Sequence, residues 1–177
     1  MDFTTITLGA AAKAMNDVVI PAAVNSGHAQ AVEQAHLVRD AIVFAQSRIE
    51  LIGDRRQFDL HTVTELLEGL LTDDDVATLP VAERLSDTVQ ASRDVLFNPS
   101  SAGRIFAAAL YQSNETLTAL LEEVDCFDPA TRSRIEKIVH AYAMQRLEFD
   151  RSWLSPLGFD PEPATVRHVD VLLAENW

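Results

Sequence analysis

Apolar residues recur every three or four positions along nearly the whole chain, the spacing of helices that each bury one face. Leu8, Ala12, Met15, Val19 and Ala22 predict a first helix. Pro21 should kink or end it, because proline has no N–H and crowds the preceding turn. Asn25-Ser26-Gly27 reads as a turn with cap residues. A long helix is predicted from about 28 to 53, with a core stripe at Val32, Ala35, Val38, Ile42, Ala45, Ile49 and Ile52. Leu37, Phe44 and Leu51 line one edge of its polar face, which suggests packing on two sides. Phe58-Asp59-Leu60 reads as a capped start for a short helix carrying Val63, Leu66, Leu67 and Leu70. Thr72-Asp73-Asp74-Asp75 reads as a solvated polar loop, followed by a helix over about 81–97.

The C-terminal half is framed by a recurring phrase. Phe97-Asn98-Pro99-Ser100-Ser101 and Phe127-Asp128-Pro129-Ala130-Thr131 each run on to Arg-Ile, and Phe159-Asp160-Pro161 is a weaker third copy. Asn or Asp caps free N–H groups, and Pro fits the first helical position, where no donor is needed. Long helices are therefore predicted to open after Asn98 and after Asp128. The second should stop at Pro156-Leu157-Gly158, and a last element over about 164–175 reads as a short helix or a strand. The similarity between copies fades after one or two turns, so it reflects shared capping chemistry and not a duplicated unit. No linker-like stretch divides the chain. The expected fold is all-α, a single domain over residues 1–177, built as an antiparallel up-and-down bundle of about five to seven helices.

Composition narrows the possible partners. The 177 residues are 47% hydrophobic, enough for a sizeable core. A formal charge of −13 argues against nucleic-acid phosphates and anionic membrane surfaces, and favours a basic protein partner or a second copy. Cys126 is the only cysteine, which rules out an intramolecular disulfide and suits a cytoplasmic protein. No apolar run reaches the ~18 residues of a membrane span, and no signal-peptide pattern opens the sequence.

Candidate chemistry is sparse. Glu33 and His36 form Glu-x-x-His, whose spacing puts both side chains on one helix face, as in carboxylate-bridged metal bundles. Glu136 and His140 are the possible second half, with iron, manganese or zinc as the metal. Glu33 and His36 fall opposite the predicted stripe, however, and Glu136 and His140 are four apart instead of three. They flank a stripe predicted near Ala143 and Leu147. The expectation is therefore a solvated face with no cofactor.

Arg146 falls on the aromatic stripe between Tyr142 and Phe149. A buried Arg needs a paired acid, which 27 Asp and Glu residues can supply. The alternative is a small-molecule pocket inside the bundle using Arg146, Tyr142, His140 and Trp153. No nucleophile elbow, phosphate loop or zinc-finger spacing is present. The expected function is non-enzymatic, through self-association or protein–protein interaction. Leu37, Phe44, Leu51, Ala143, Leu147 and Leu154 are the leftover apolar edges that would make an interface.

Overall fold

The structure, a computed structural model, describes residues 3–98, 103–124 and 127–175. The chain runs α1 (Phe3–Ala14), a π-turn (Met15–Val19), α2 (Ile20–Asn25), α3 (Ala29–Arg48), a 3-10 turn (Ile49–Leu51) and α4 (Ile52–Leu71). It continues with α5 (Asp74–Ala77), α6 (Val81–Leu96), α7 (Gly103–Glu123) and α8 (Pro129–Leu154). Two 3-10 turns (Ser155–Leu157 and Pro163–Thr165) precede α9 (Val169–Glu175). No strand occurs among the described residues, so the fold is all-α, and the alternative of a strand before Leu173 gives way to α9. Two compact units are formed. The first is Met1–Ile52 with Arg151–Val166, and the second is Gly53–Asp150 with Arg167–Trp177.

The second unit holds the larger core. Leu66, Leu67 and Leu70 of α4 meet Val76 of α5, Val81, Leu85 and Val89 of α6, Leu120 of α7 and Ile135 of α8. The three- and four-residue spacing of these positions gives each helix one apolar stripe, and the stripes converge. Between α6 and α7 the contact is made by small hydroxyl residues. Thr88 pairs with Thr116 and Ser92 with Ser113, each pair at 3.1 Å between oxygens. Each hydroxyl has one proton, so Ser113 donates to the Ala109 carbonyl and accepts from Ser92, while one of Thr88 and Thr116 donates to the carbonyl of Arg84 or Gln112 in its own helix and accepts from the other.

The first unit is a helical hairpin. α1 and α2 lie along α3, with Ala12, Ile20 and Ala35 as its buried aliphatic residues. At Gly9 a Cβ would stand 2.9 Å from Gln46 Nε2, the mobile end of that side chain, which would have to shift to admit it. Gln46 Nε2 donates to the Thr5 carbonyl at 3.4 Å, and the Thr5 hydroxyl donates to Glu50 at 3.2 Å. Pro21 does not end the helical run, which continues to Asn25: it sits in the first turn of α2, and the turn before it widens so that the Ile20 N–H donates to the Met15 carbonyl. On its other side α3 meets the 3-10 turn at Ser155–Leu157, so this helix is packed from two sides.

Several boundaries differ from the sequence reading. The helix predicted over 28–53 ends at Arg48, and α4 starts at Ile52, although neither Gly nor Pro marks the break. Arg48 is turned inward there: its Nε donates to the Trp153 carbonyl at 2.9 Å and its Nη2 to the Ser152 carbonyl at 3.3 Å, occupying carbonyls of the last turn of α8. Phe58-Asp59-Leu60 does not open a helix but lies in the middle of α4, because the Asp59 carboxylate binds Arg55 one turn earlier and caps no backbone. Asp73 caps α5 by accepting from the Asp75 N–H, where a plain loop was expected. The stripe centre predicted on α8 near Ala143 and Leu147 is exposed, whereas Ile135 and Phe149, expected on the apolar face of the same helix, are buried together with Thr131 and Ser152. Counting aliphatic residues alone shifted the centre of that face because two of its positions are a threonine and a serine. Val38, placed in the α3 stripe, is 48% exposed.

The capping phrase works fully once within the described residues. Asp128 Oδ1 accepts from the N–H groups of Ala130 and Thr131 at 2.8 and 3.3 Å, and Pro129 opens α8. The Pro99-Ser100-Ser101 part of the first copy lies outside the described residues, as does Cys126. The third copy opens no α-helix. Asp160 is drawn to Arg151, which donates to both carboxylate oxygens at 2.8 and 2.9 Å.

Candidate functional site

Arg146 and its neighbours lie on α8 in the second unit. Arg146 Nη1 donates to the Tyr142 hydroxyl at 3.1 Å, and Nη2 stands 3.8 Å from Asp59 Oδ1. Burial disfavours the Arg146 charge, but the Tyr142 hydroxyl and the carboxylates of Asp59 and Asp150 outweigh it and raise the pKa above the usual arginine value. Arg55 completes the cluster, with Asp59 at 2.9 Å and Asp150 at 2.5 Å, and its guanidinium lies over the Phe149 ring at 4.9 Å. Phe149 in turn stacks on Phe58, with centroids 3.9 Å apart. This is an α4–α8 clamp of two arginines, two aspartates and two stacked rings, and Arg146 directs its donors toward those groups. Sequence reasoning missed Arg55, Asp59 and Asp150; the Arg55–Asp59 spacing of one helical turn was the available signal.

The other predicted ligand residues are not drawn into this clamp. His140 is exposed on α8 and Trp153 belongs to the first unit, where Arg48 lies 5.5 Å from its ring centroid. A cavity of about 220 Å³ is lined by Phe58, Gln145, Glu148, Phe149, Arg167 and Leu172, among others, and includes none of Arg146, Tyr142, His140 and Trp153. The predicted metal residues are Glu33, which is exposed, His36, which is half-buried on α3, and Glu136 and His140, both exposed on α8. Among the described residues no three or more His, Cys, Asp or Glu side chains converge to hold a metal ion.

A second polar cluster joins α5 to the start of α8. Arg134 binds Asp73 at 2.7 Å and Asp75 at 2.8 Å, while the buried Thr131 hydroxyl contacts Asp75 at 2.5 Å and Asp128 at 2.7 Å. The Arg134 guanidinium holds the Asp73 carboxyl below its ordinary pKa, and the Thr131 hydroxyl with the Ala130 and Thr131 N–H groups does the same for Asp128. Each group in the cluster serves a cap or an ion pair, so its function is to fix where α8 begins.

One exposed apolar surface lies on the hairpin of the first unit; Phe97, Tyr111, Met144 and Leu147 of the second unit are exposed as well. Phe3 is 84% exposed, and Ile6, Val18, Val19 and Val24 of the same arm are also exposed. On α3, Leu37 is 50% exposed, with Val38 and Val43 close to that value. Phe44 and Leu51, predicted beside Leu37 as an open edge, are half-buried. Charge is scarce on this surface. Residues 3–47 contain Lys13, Asp17, Glu33, Arg39 and Asp40 as their only charged side chains, and two pairs are internal, Lys13–Asp17 at 2.5 Å and Arg39–Asp40 at 2.6 Å. Exposed apolar side chains gathered on one unit make it a candidate contact surface. No helix among the described residues is long and apolar enough to cross a membrane. No family model matches the chain, and neither a curated protein nor a solved structure matches it.

Proposed function

We propose that this protein acts by association, as a non-enzymatic helical module that presents the α1–α3 hairpin to a protein surface in the cytoplasm. The observation that carries this reading is the set of uncovered Phe, Ile, Leu and Val side chains on the hairpin, whose own buried aliphatic residues among those described are Ala12, Ile20 and Ala35. Covering such residues is favourable by roughly 25 cal/mol per Å² of apolar area removed from water. The negative charge supports the same division of labour. The first unit carries seven acidic and four basic residues, so most of the chain's −13 falls on the second unit, where it keeps the molecule soluble.

Site-specific photo-crosslinking in cells tests the reading. A photoreactive residue at Leu37 should give protein adducts, and the same residue at the exposed Glu122 of α7 should give none. Absence of adducts at Leu37, or equal adducts at both positions, would remove the hairpin as the contact surface.

A further inference from the structure

We propose that the cavity between α4, α8 and α9 binds a small organic cation, a primary ammonium carried on an aryl or short alkyl body. The site lies within the second unit, and none of its lining residues belongs to the hairpin. Its inner wall is apolar. Phe58 of α4, Phe149 of α8 and Leu172 of α9 line the space, and each is at most 5% exposed. Phe58 stacks on Phe149, and Arg55 lies over the Phe149 ring, so the wall is set before any ligand arrives. Size limits the occupant. The cavity of about 220 Å³ matches about seven waters at ~30 Å³ each. Drug-sized ligands occupy ~300–1,000 Å³, so this space suits a single ring or a short chain with one head group.

The rim sets the sign of the head group. Its charged members are Glu148 of α8, Glu175 of α9 and Arg167 just before α9, two carboxylates against one guanidinium. Arg167 donates to Glu148 at 3.3 Å and also pairs with Glu175. The contact to Glu148 is longer than the ~2.7–2.9 Å of a strong charged hydrogen bond. The Glu148 and Glu175 side chains are 47% and 55% exposed, and ion pairs so open to water are weak. Glu148 can therefore turn to a ligand at little cost. The guanidinium itself shows what the mouth accepts: a cation held between carboxylates from α8 and α9. An arriving ammonium meets the uncompensated negative charge, whereas an arriving carboxylate would have to displace two acids from a single arginine. Contact of the body with Phe58, Phe149 and Leu172 supplies affinity, and the rim fixes orientation. The acidic excess of the second unit raises the local concentration of cations at this mouth.

Titration of the full chain with phenethylamine, a cation at neutral pH, tests this by amide NMR. The resonances of Gln145, Glu148, Phe149 and Leu172 should move together and saturate, with a Kd of ~0.1–1 mM for so small a ligand. The uncharged 2-phenylethanol should bind at least ~10-fold more weakly, because it lacks the charged hydrogen bond. The anion 3-phenylpropionate should not saturate at ~10 mM. Glu148→Gln with Glu175→Gln, both at exposed positions, should weaken phenethylamine ~10-fold and leave 2-phenylethanol unchanged, with the helix content by circular dichroism as in the wild type. Glu122→Gln on α7, away from the cavity, should change neither. Absence of saturable shifts with phenethylamine overturns the proposal, as does equal binding of the cation and the anion. An equal loss of both probes in the double variant, or shifts spread over α7 as much as over the cavity, also overturns it.

Discussion

Asp73, Asp128 and Asp160 each exchange water for a fixed set of donors, and this ties stability to pH. Arg134 lowers the Asp73 pKa, the Thr131 hydroxyl with the backbone N–H groups of Ala130 and Thr131 lowers that of Asp128, and Arg151 lowers that of Asp160. A carboxyl with a depressed folded-state pKa contributes stability that is complete above the unfolded value, ~3.9, and is lost as pH falls through the folded value. Urea midpoints should therefore stay level at mildly acidic pH and drop as pH falls below ~4. Asp73→Asn and Asp128→Asn should each lower the midpoint at neutral pH and flatten that drop. A midpoint in either variant that falls as steeply with acid as the wild type would show that the carboxylate does not contribute. These residues also mark what a sequence discloses at this scale. Asp128 is legible as a cap because its partners are its own next two N–H groups. The partners of Asp73 and Arg134 are 61 residues apart in the chain, and nothing local announces them.

At the scale of elements, α6 and α7 meet along a seam of hydroxyl pairs, Thr88 with Thr116 and Ser92 with Ser113. Ser113 and Thr116 are fully buried, and Ser92 and Thr88 nearly so. Each helix still carries its apolar stripe, and the hydroxyl pairs add a close seam beside it. Ser113→Leu should overpack that seam and cost ~1–3 kcal/mol. Ser113→Ala should cost only ~1 kcal/mol, the value of a typical hydrogen bond. Chemical denaturation of the two variants checks the order; a leucine tolerated better than the alanine would mean the seam has room. Helix periods and the Pro-based start of α8 were readable, as was the Pro21 disturbance between α1 and α2. The α3–α4 break was not, because it depends on Arg48 reaching carbonyls at 152 and 153, more than 100 positions away.

At the scale of the whole molecule, burial is unevenly distributed between the two units. Phe58, Leu60, Val63, Leu67 and Leu70 of α4 and Leu85 of α6 are essentially inaccessible, whereas the hairpin buries Ala12, Ile20, Ala35 and Arg48. Hydrogen exchange should accordingly be slowest over 58–70 and 81–92 and much faster over 3–47, since local opening is easiest where few apolar contacts are lost. Exchange that is equally slow in both regions at low concentration would show that the hairpin is stabilised in some other way. The sequence by itself determined the helical character, the charge balance, the capped start of α8 and the candidate acids and histidines, because these follow from composition and from spacing within one element. Tertiary structure decided which faces are covered. It set Arg146 against Tyr142 and Asp59, turned Arg48 inward, left Leu37 and Val38 of α3 exposed and kept the predicted metal residues apart. Those outcomes depend on groups far apart in the chain meeting in space, and periodicity within a single helix carries no record of such encounters.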